Sequence, residues 1–341
     1  MVLILSNDGD LSCDLVQDWL DFYHYPYLRI NSWEFLRKPI SVSLVNGEFS
    51  FTMAGKKIDL DSIHSIWYRK YGLFRCTETY RRLISTHKMD EELINHLSKE
   101  YARSIQTLLI ALKDEKWLTN PMYMNVSKLE VLKVASDCGL NTSATYLVND
   151  RNQLVHLVEK KNLISKSVFD PIIAEWGKRN RGMMYTVEVN KEELSALPSS
   201  FLPSMVQEKL EKKYELRIFY LNGKMYPMAI FSQKDNQTQL DFRNYNWEKP
   251  NRMEPCKLNV DLKKKIRKLM YRLHLNCGSI DLIVAKDGKT YFLEVNPTGQ
   301  FGMVDFPCNY GLHKIVAEEL IKMDNYGFKN KIISNFRNTI I

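Results

Sequence analysis

Apolar positions recur in two periods along the chain, and the alternation between them predicts an α/β organisation. Residues 2–5 are a short apolar run, read as a strand, and residues 63–68 a second. Residues 14–25 read as a helix with Leu15, Trp19 and Phe22 on one stripe. Leu93, Leu97, Tyr101, Ile105, Leu108 and Leu112 recur at steps of three or four, the pattern of a long amphipathic helix over 92–112. The pattern breaks at 117–121, which places a small α/β domain at 1–118.

A second domain, 119–200, opens on Ser127-Lys128-Leu129-Glu130, a capping box before an apolar run, and Gly139 stands where a C′ glycine ends that helix. A strand (146–148), a helix (151–161), a strand (163–166), a loop (177–182) and a strand (185–189) follow. A third domain, 201–330, carries two hairpins, because Asn222-Gly223 and Asp287-Gly288 supply the positive φ that type I′ turns require. Between them lie a polar loop (233–254) and a basic helix (261–275) with Leu262, Ile266, Leu269 and Leu273 as its buried stripe. A helix at 311–323 is the last strong element, and 331–341 is a tail.

The second hairpin carries chemistry. A two-residue turn at Asp287-Gly288 pairs Lys286 with Lys289, and continuing outward sets Asp281 opposite Glu294. Directly opposed Cβ atoms lie about 4.5–5.5 Å apart, so two carboxylates there repel unless a cation sits between them. Asn296, two residues beyond Glu294, faces the same way, which completes an oxygen-only set suited to Mg²⁺. The plain alternative is a solvated edge hairpin. Against it stand Ile280, Leu282, Ile283, Phe292, Leu293 and Val295, which make these strands apolar enough to be covered on both faces.

On the first hairpin Glu215 and Arg217 share a face. They form either a surface ion pair of little worth, or a phosphate-binding guanidinium beside a carboxylate that holds a hydroxyl-bearing ligand. No G-x-G-x-x-G is present. Gly177 and Gly182 have P-loop spacing, but Met183-Met184 follow where Lys-Ser/Thr is required. Lys128, at the first turn of a helix, and Lys166, at the end of a strand, are candidate phosphate ligands or simply snorkelling surface lysines.

In order, the chain thus presents Ser127-Lys128-Leu129, Ile164-Ser165-Lys166, Val206-Gln207-Glu208-Lys209-Leu210, Glu215-Leu216-Arg217, Asp241-Phe242-Arg243, Gly278-Ser279-Ile280-Asp281 and Phe292-Leu293-Glu294-Val295-Asn296-Pro297-Thr298-Gly299-Gln300. This series resembles the ATP-grasp ligases, and among them the microviridin-type (graspetide) peptide maturases of the grasp-with-spasm group. The match spans roughly 120–325, and Ile66-Trp67-Tyr68-Arg69 extends it loosely to the N-terminus. The resemblance implies an α/β (α+β) ATP-grasp fold behind a Rossmann-like pre-ATP-grasp domain, with the active site between the second and third domains.

It further implies ATP and Mg²⁺ as cofactors. Lys128 and Lys166 would meet the α- and β-phosphates. Glu208 and Leu210 would line the adenine edge through backbone groups, and Glu215 would hold the ribose. Arg217 and Arg243 would act catalytically at the γ-phosphate and acyl-phosphate. Asp281, Glu294 and Asn296 would hold the metal. Asp241 would reach substrate, as would Trp67 and Arg69, which read equally as a buried tryptophan and a structural arginine. The 177–182 loop departs from the family in its basic residues and would act as a lid. The activity implied is activation of Asp/Glu side chains of a precursor peptide as acyl-phosphates, then ester or amide crosslinking to Thr/Ser or Lys. The partner is that peptide, with a leader and a Thr/Glu-rich core; 233–254, with Tyr245 and Trp247, is a candidate contact region or equally a plain surface loop. A homodimer is allowed. Addition of free amino acids to a protein carboxylate is the alternative within the same chemistry.

Composition adjusts this picture modestly. The 341 residues are 45% hydrophobic and 26% charged with a formal net charge of +8, which excludes disorder and fits an anionic partner. A basic nucleic-acid-binding protein is the reading of a different class, through Lys263, Lys264, Lys265, Arg267, Lys268 and Arg272, but no nucleic-acid motif accompanies them. A nucleotide-binding scaffold without catalysis is opposed by the intact carboxylate and arginine sets. The six scattered cysteines form no C-x-x-C and read as reduced residues of a cytosolic protein. Residues 1–5 are too short for a signal-peptide core and run into acidic residues, and no stretch reaches the ~18 apolar residues of a membrane span. The expectation is a cytoplasmic enzyme without membrane or nucleic-acid partners.

Overall fold

The computed structural model describes residues 1–69, 71, 74, 77–86, 90–169, 173–176, 180–183 and 185–338. The chain divides into two compact units, Met1–Pro121 with Gly311–Ile341, and Met122–Tyr310.

The first unit carries β1 (Val2–Ser6), β2 (Tyr27–Asn31), β3 (Ile40–Val45), β4 (Glu48–Met53), β5 (Lys56–Ile58), β6 (Ser65–Tyr68) and β7 (Lys116–Leu118). Strands in the order β2-β1-β6-β7 form a parallel sheet. Every residue of β1 is buried, as an apolar strand covered on both faces requires. The helix Leu11–Phe22 starts from Asp10, whose carboxylate accepts the Ser12 N–H at 3.2 Å. Its buried side is Cys13, Val16 and Leu20, whereas Phe22 is 69% exposed. The stripe expected at Leu15, Trp19 and Phe22 is therefore wrong: both sets have helical spacing, and periodicity alone does not choose between them. The long helix runs Glu91–Ala111 from an Asp90 cap and buries Tyr101, Ile105 and Leu108.

The meander β3-β4-β5 was not anticipated. Asn46-Gly47 joins β3 to β4 with φ of 53° and 86°, the same turn chemistry as at 222–223. The C-terminal helix Leu312–Asn338 also belongs to this unit, although the sequence placed its first half in the third domain. Leu312, Val316, Ala317 and Leu320 are buried, and the helix packs on Leu11–Phe22, β6 and β7.

The second unit carries β8 (Asn141–Thr142), β9 (Thr145–Asp150), β10 (Leu163–Lys166), β11 (Ile173–Trp176), β12 (Asn180–Met183), β13 (Val187–Glu188), β14 (Ser200–Glu208), β15 (Lys212–Leu221), β16 (Lys224–Phe231), β17 (Arg252–Pro255), β18 (Cys277–Ala285) and β19 (Thr290–Asn296). A small antiparallel sheet, β13-β10-β14-β9, is backed by the helix Arg151–Lys160 through Val148, Leu154, Val158, Leu163 and Val206. Because β14 pairs in this sheet, the break between the two sheets falls after Glu208, not at 200/201. Residues 180–182, expected as loop, lie in β12 and pair with β11. The remainder of that loop, 177–179, lies outside the described residues, as does Cys76.

The large sheet has the order β17-β16-β15-β18-β19-β8. One face is apolar: Leu216, Ile218, Ile280, Leu282 and Phe292 pack on Ala135 of the helix Lys128–Asp137 and on Ile266 and Leu269 of the helix Val260–Arg272. The period-2 alternation of strands sends the intervening residues to the opposite face. Gly139, at φ 82°, ends the helix Lys128–Asp137 as expected. Ser127 stands at its N-cap, but its side chain makes no capping bond, so the expected capping box does not form. No helix among the described residues is long and apolar enough to cross a membrane.

Candidate active site

The polar face of the large sheet is assembled by two hairpins and two bulges. In the first hairpin Leu221 pairs with Lys224 across Asn222-Gly223, whose φ of 43° and 85° makes a two-residue I′ turn. This register puts Glu215 and Arg217 on one face, both buried. In the second hairpin Asp281 does pair with Glu294 and Ser279 with Asn296. The predicted Lys286–Lys289 pair does not form, however. The Ala285 N–H donates to the Lys289 carbonyl at 2.9 Å, so the turn is Lys286-Asp287-Gly288 with Gly288 at φ 82°. A register shift between Asp281 and Leu282, at Leu293, compensates for that longer turn and restores the carboxylate pairing.

Arg217 also pairs with Asp281 across β15 and β18, and its Nη1 donates to both carboxylate oxygens at 3.2 and 3.1 Å. Loss of solvent raises the Asp281 carboxyl above its usual range; Arg217 draws it down and the facing Glu294 pushes it up again. Glu294 is more open, and its Oε2 lies 4.0 Å from the Lys128 ammonium. The exposed Asn296 turns its Oδ1 to the Thr298 N–H at 3.1 Å. Two carboxylates and an amide oxygen on one face fit a hard divalent cation such as Mg²⁺. Among the described residues no three His, Cys, Asp or Glu cluster as a metal site, so such an ion would need Asn296 and oxygens from a ligand.

The small sheet supplies the opposite wall. Lys166 donates from Nζ to Gln207 Oε1 at 3.0 Å, and Gln207 is itself held through Nε2 by Thr145 Oγ1 at 2.9 Å. Desolvation lowers the Lys166 ammonium below the ordinary lysine range, against the pull of Glu294 and Asp241. Lys128 reaches in from the start of its helix and donates to the Ser167 and Phe169 carbonyls at 2.9 and 3.0 Å.

The polar loop contributes Asp241 and Arg243 as a two-pronged ion pair, Nε–Oδ1 2.9 Å and Nη2–Oδ2 2.7 Å. Burial works to raise the Asp241 carboxyl, but hydrogen bonds and charge from Arg243 overcome it and hold it at about 2. This loop is internally bonded, with Thr238 fully buried and bonded to the Ser232 carbonyl and Asn251. Trp247 stands 86% exposed and edge-on to Tyr245.

Lys128, Lys166, Glu215, Asp241, Arg243, Asp281 and Glu294 therefore line one cleft of the second unit. It continues into a second chamber walled by Ile164, Leu210, Leu240, Ile283 and Leu293, with Glu208 at its edge. Glu208 is partly committed. Its backbone N–H donates to the Ala144 carbonyl at 2.9 Å, its carbonyl accepts from Ser143 Oγ at 2.7 Å, and its carboxylate meets Lys161 at 2.6 Å. Trp67 and Arg69 lie in the other unit, 1% and 3% exposed, with Arg69 on the Asp10 carboxylate at 3.3 Å and over the Trp67 ring.

Sequence reasoning missed Lys212. Strict alternation puts it on the face opposite Glu215. A bulge between Lys212 and Tyr214 instead pairs it with Ala285, on the side of Glu215 and Arg217, and it lines both chambers.

No protein-family model matches this chain, and no curated protein does. Solved structures do. The RiPP-associated ATP-grasp ligase of Chryseobacterium gregarium, solved with ADP and a leader and core peptide, superposes with a TM-score of 0.82 at 24% identity, over 94% of this chain and 96% of that one. Macrocyclase MdnC of Microcystis aeruginosa MRC, bound with precursor peptide MdnA, gives 0.77 at 26% identity, over 94% and 99%. ATP-grasp ligase PsnB, complexed with minimal precursor, Mg and ADP, gives 0.74 at 17%, over 95% and 97%. The chain thus has the fold of the RiPP-associated ATP-grasp ligases, and the resemblance drawn from its motifs is borne out.

Proposed function

We propose that this chain is an ATP- and Mg²⁺-dependent ligase of the graspetide kind, which crosslinks Asp or Glu side chains of a precursor peptide to Thr/Ser or Lys. The observation that carries the reading is the convergence of Lys128, Lys166 and Arg243 on one cleft that also holds the opposed carboxylates Asp281 and Glu294, with Arg217 bonded to Asp281. Cations gathered around two acidic groups suit a polyanionic ligand that arrives with its own metal.

Lys128 and Lys166 would screen the phosphates of ATP as a substrate carboxylate approaches, an encounter of two anions. Arg217 and Arg243 would stabilise charge on the transferring oxygens. Carboxylate and ATP give an acyl-phosphate and ADP; a peptide hydroxyl or amine then displaces phosphate and loses its proton, so the peptide sheds one water per ring. Mg²⁺, held by Asp281, Glu294 and Asn296, would neutralise phosphate charge and orient the group for in-line transfer. Tethering both reacting side chains in one peptide removes the entropy cost of a bimolecular closure.

Leu210 and Glu208 would flank the adenine, and Glu215 the ribose. The two sheets of the second unit would be the halves that hold the nucleotide. A Thr/Glu-rich core would add the acidic character that a chain of net charge +8 accommodates, and exposed Trp247 offers it an aromatic contact. Trp67 and Arg69 are proposed as substrate contacts only through the resemblance. A homodimer and a cytoplasmic location, where Cys13, Cys138, Cys256 and Cys308 stay thiols, complete the reading. The test is nucleotide turnover with a cognate Thr/Glu-rich peptide: peptide-dependent ADP release supports it, and release with free glutamate plus a mass gain favours amino-acid addition instead.

A further inference from the structure

Lys212 is 7% exposed and sits on the cleft face only because of the bulge beside it. A lysine placed there at the cost of strand regularity needs a partner, since a buried ammonium is unfavourable unless paired. It has two: the Glu215 carboxylate, met through Oε1, and the Leu240 carbonyl at 3.0 Å. Glu215 Oε1 also accepts from Ser232 Oγ at 3.3 Å. Its other oxygen, Oε2, is buried with no hydrogen-bond partner among the described residues. A buried carboxylate oxygen left unpaired is costly, and a ligand hydroxyl would satisfy it.

We propose that Lys212 is a positioning residue of the nucleotide site: by occupying Oε1 of Glu215 it fixes the carboxylate so that Oε2 is the oxygen left for the ribose hydroxyls. This rests on the reading of the cleft as a nucleotide site. The Leu240 contact gives the same ammonium a hold on the loop next to Asp241 and Arg243. Burial holds the Glu215 carboxyl above its usual range, and Lys212 opposes that rise.

The test uses the full chain and calorimetric titration with ATP and with 2′,3′-dideoxy-ATP, which lacks both hydroxyls. The unaltered chain is expected to prefer ATP by on the order of 10- to 100-fold, the worth of a hydrogen bond to a charged group. Lys212→Met is expected to bring that preference close to one while binding of the dideoxy compound is retained; Lys212→Arg is expected to restore it. Because Lys212→Met leaves a buried carboxylate unpaired, the Lys212→Met/Glu215→Gln double variant and Glu215→Gln alone are measured beside it. Adding Lys212→Met to Glu215→Gln is expected to change the preference no further. A Lys212→Met chain that keeps the ATP preference, or weakens both nucleotides equally, overturns the assignment, the second result being what a merely structural lysine gives. An unaltered chain that binds neither nucleotide overturns the nucleotide reading itself, and does so before any substitution is made.

Discussion

Gly299 closes the turn after the carboxylate strand and leaves no room for a side chain. A Cβ there would lie 2.5 Å from both Cβ and Oγ of Ser279 and 3.2 Å from the Asn296 carbonyl oxygen. Carbon atoms in contact sit about 3.5–4.0 Å apart, so Gly299→Ala requires a displacement of about 1 Å. Ser279 is fully buried and paired with Asn296, so neither partner is a flexible tip that could swing away. Overpacking of this kind costs about 1–3 kcal/mol. Because the displaced turn carries Asn296 and follows Glu294, turnover is expected to fall further than stability, on the order of 100-fold for a 1 Å misplacement. Urea denaturation and peptide-dependent ADP release measure the two effects. Ser279→Gly in the same chain, which removes the clashing atoms, is expected to recover much of both. A Gly299→Ala chain with unchanged stability and turnover would refute the packing argument.

Further expectations follow from the same geometry. Arg217→Met leaves the mostly buried Asp281 carboxylate without its partner and facing Glu294; stability is expected to fall by about 3–5 kcal/mol, and Asp281→Asn in the same chain to recover part of it, both read by denaturant titration. ADP with Mg²⁺ at a hundredfold excess over Kd is expected to stabilise the fold by about 2.7 kcal/mol, and Glu294→Gln to remove the magnesium-dependent part of the thermal shift. Asp241, held at about 2 against an ordinary 3.8, contributes stability that is complete above the unfolded value and lost as pH falls through the folded one. Asp241→Asn is therefore expected to flatten the acid limb between about pH 4 and pH 2, a difference of roughly 2 kcal/mol. In the core, Ile266→Ala is expected to cost about 2–5 kcal/mol.

The chemistry was legible where it sat on regular strands. Period-2 alternation put Glu215 with Arg217, and counting outward from the hairpin turn put Asp281 opposite Glu294. The second pairing was reached through a wrong turn, saved because the extra turn residue and the bulge at Leu293 cancel. The same irregularity was costly at Lys212, where a bulge reverses the face and no residue type announces it. The meander at 40–58 was missed although Asn46-Gly47 carries the turn signal that was read at 222–223 and the flanking residues alternate apolar with polar; β3 stays largely exposed, so no continuous apolar run marks it. The C-terminal helix was found as an element and placed in the wrong unit, because periodicity identifies an apolar face without saying what covers it.

The account stands on ATP-driven crosslinking of a peptide, and intact mass spectrometry of a cognate Thr/Glu-rich precursor incubated with the chain, ATP and Mg²⁺ tests it most directly. The expected result is loss of one water mass per ring, absent without ATP and abolished by Glu294→Gln. A precursor of unchanged mass under conditions where the chain binds both it and ATP would contradict the account.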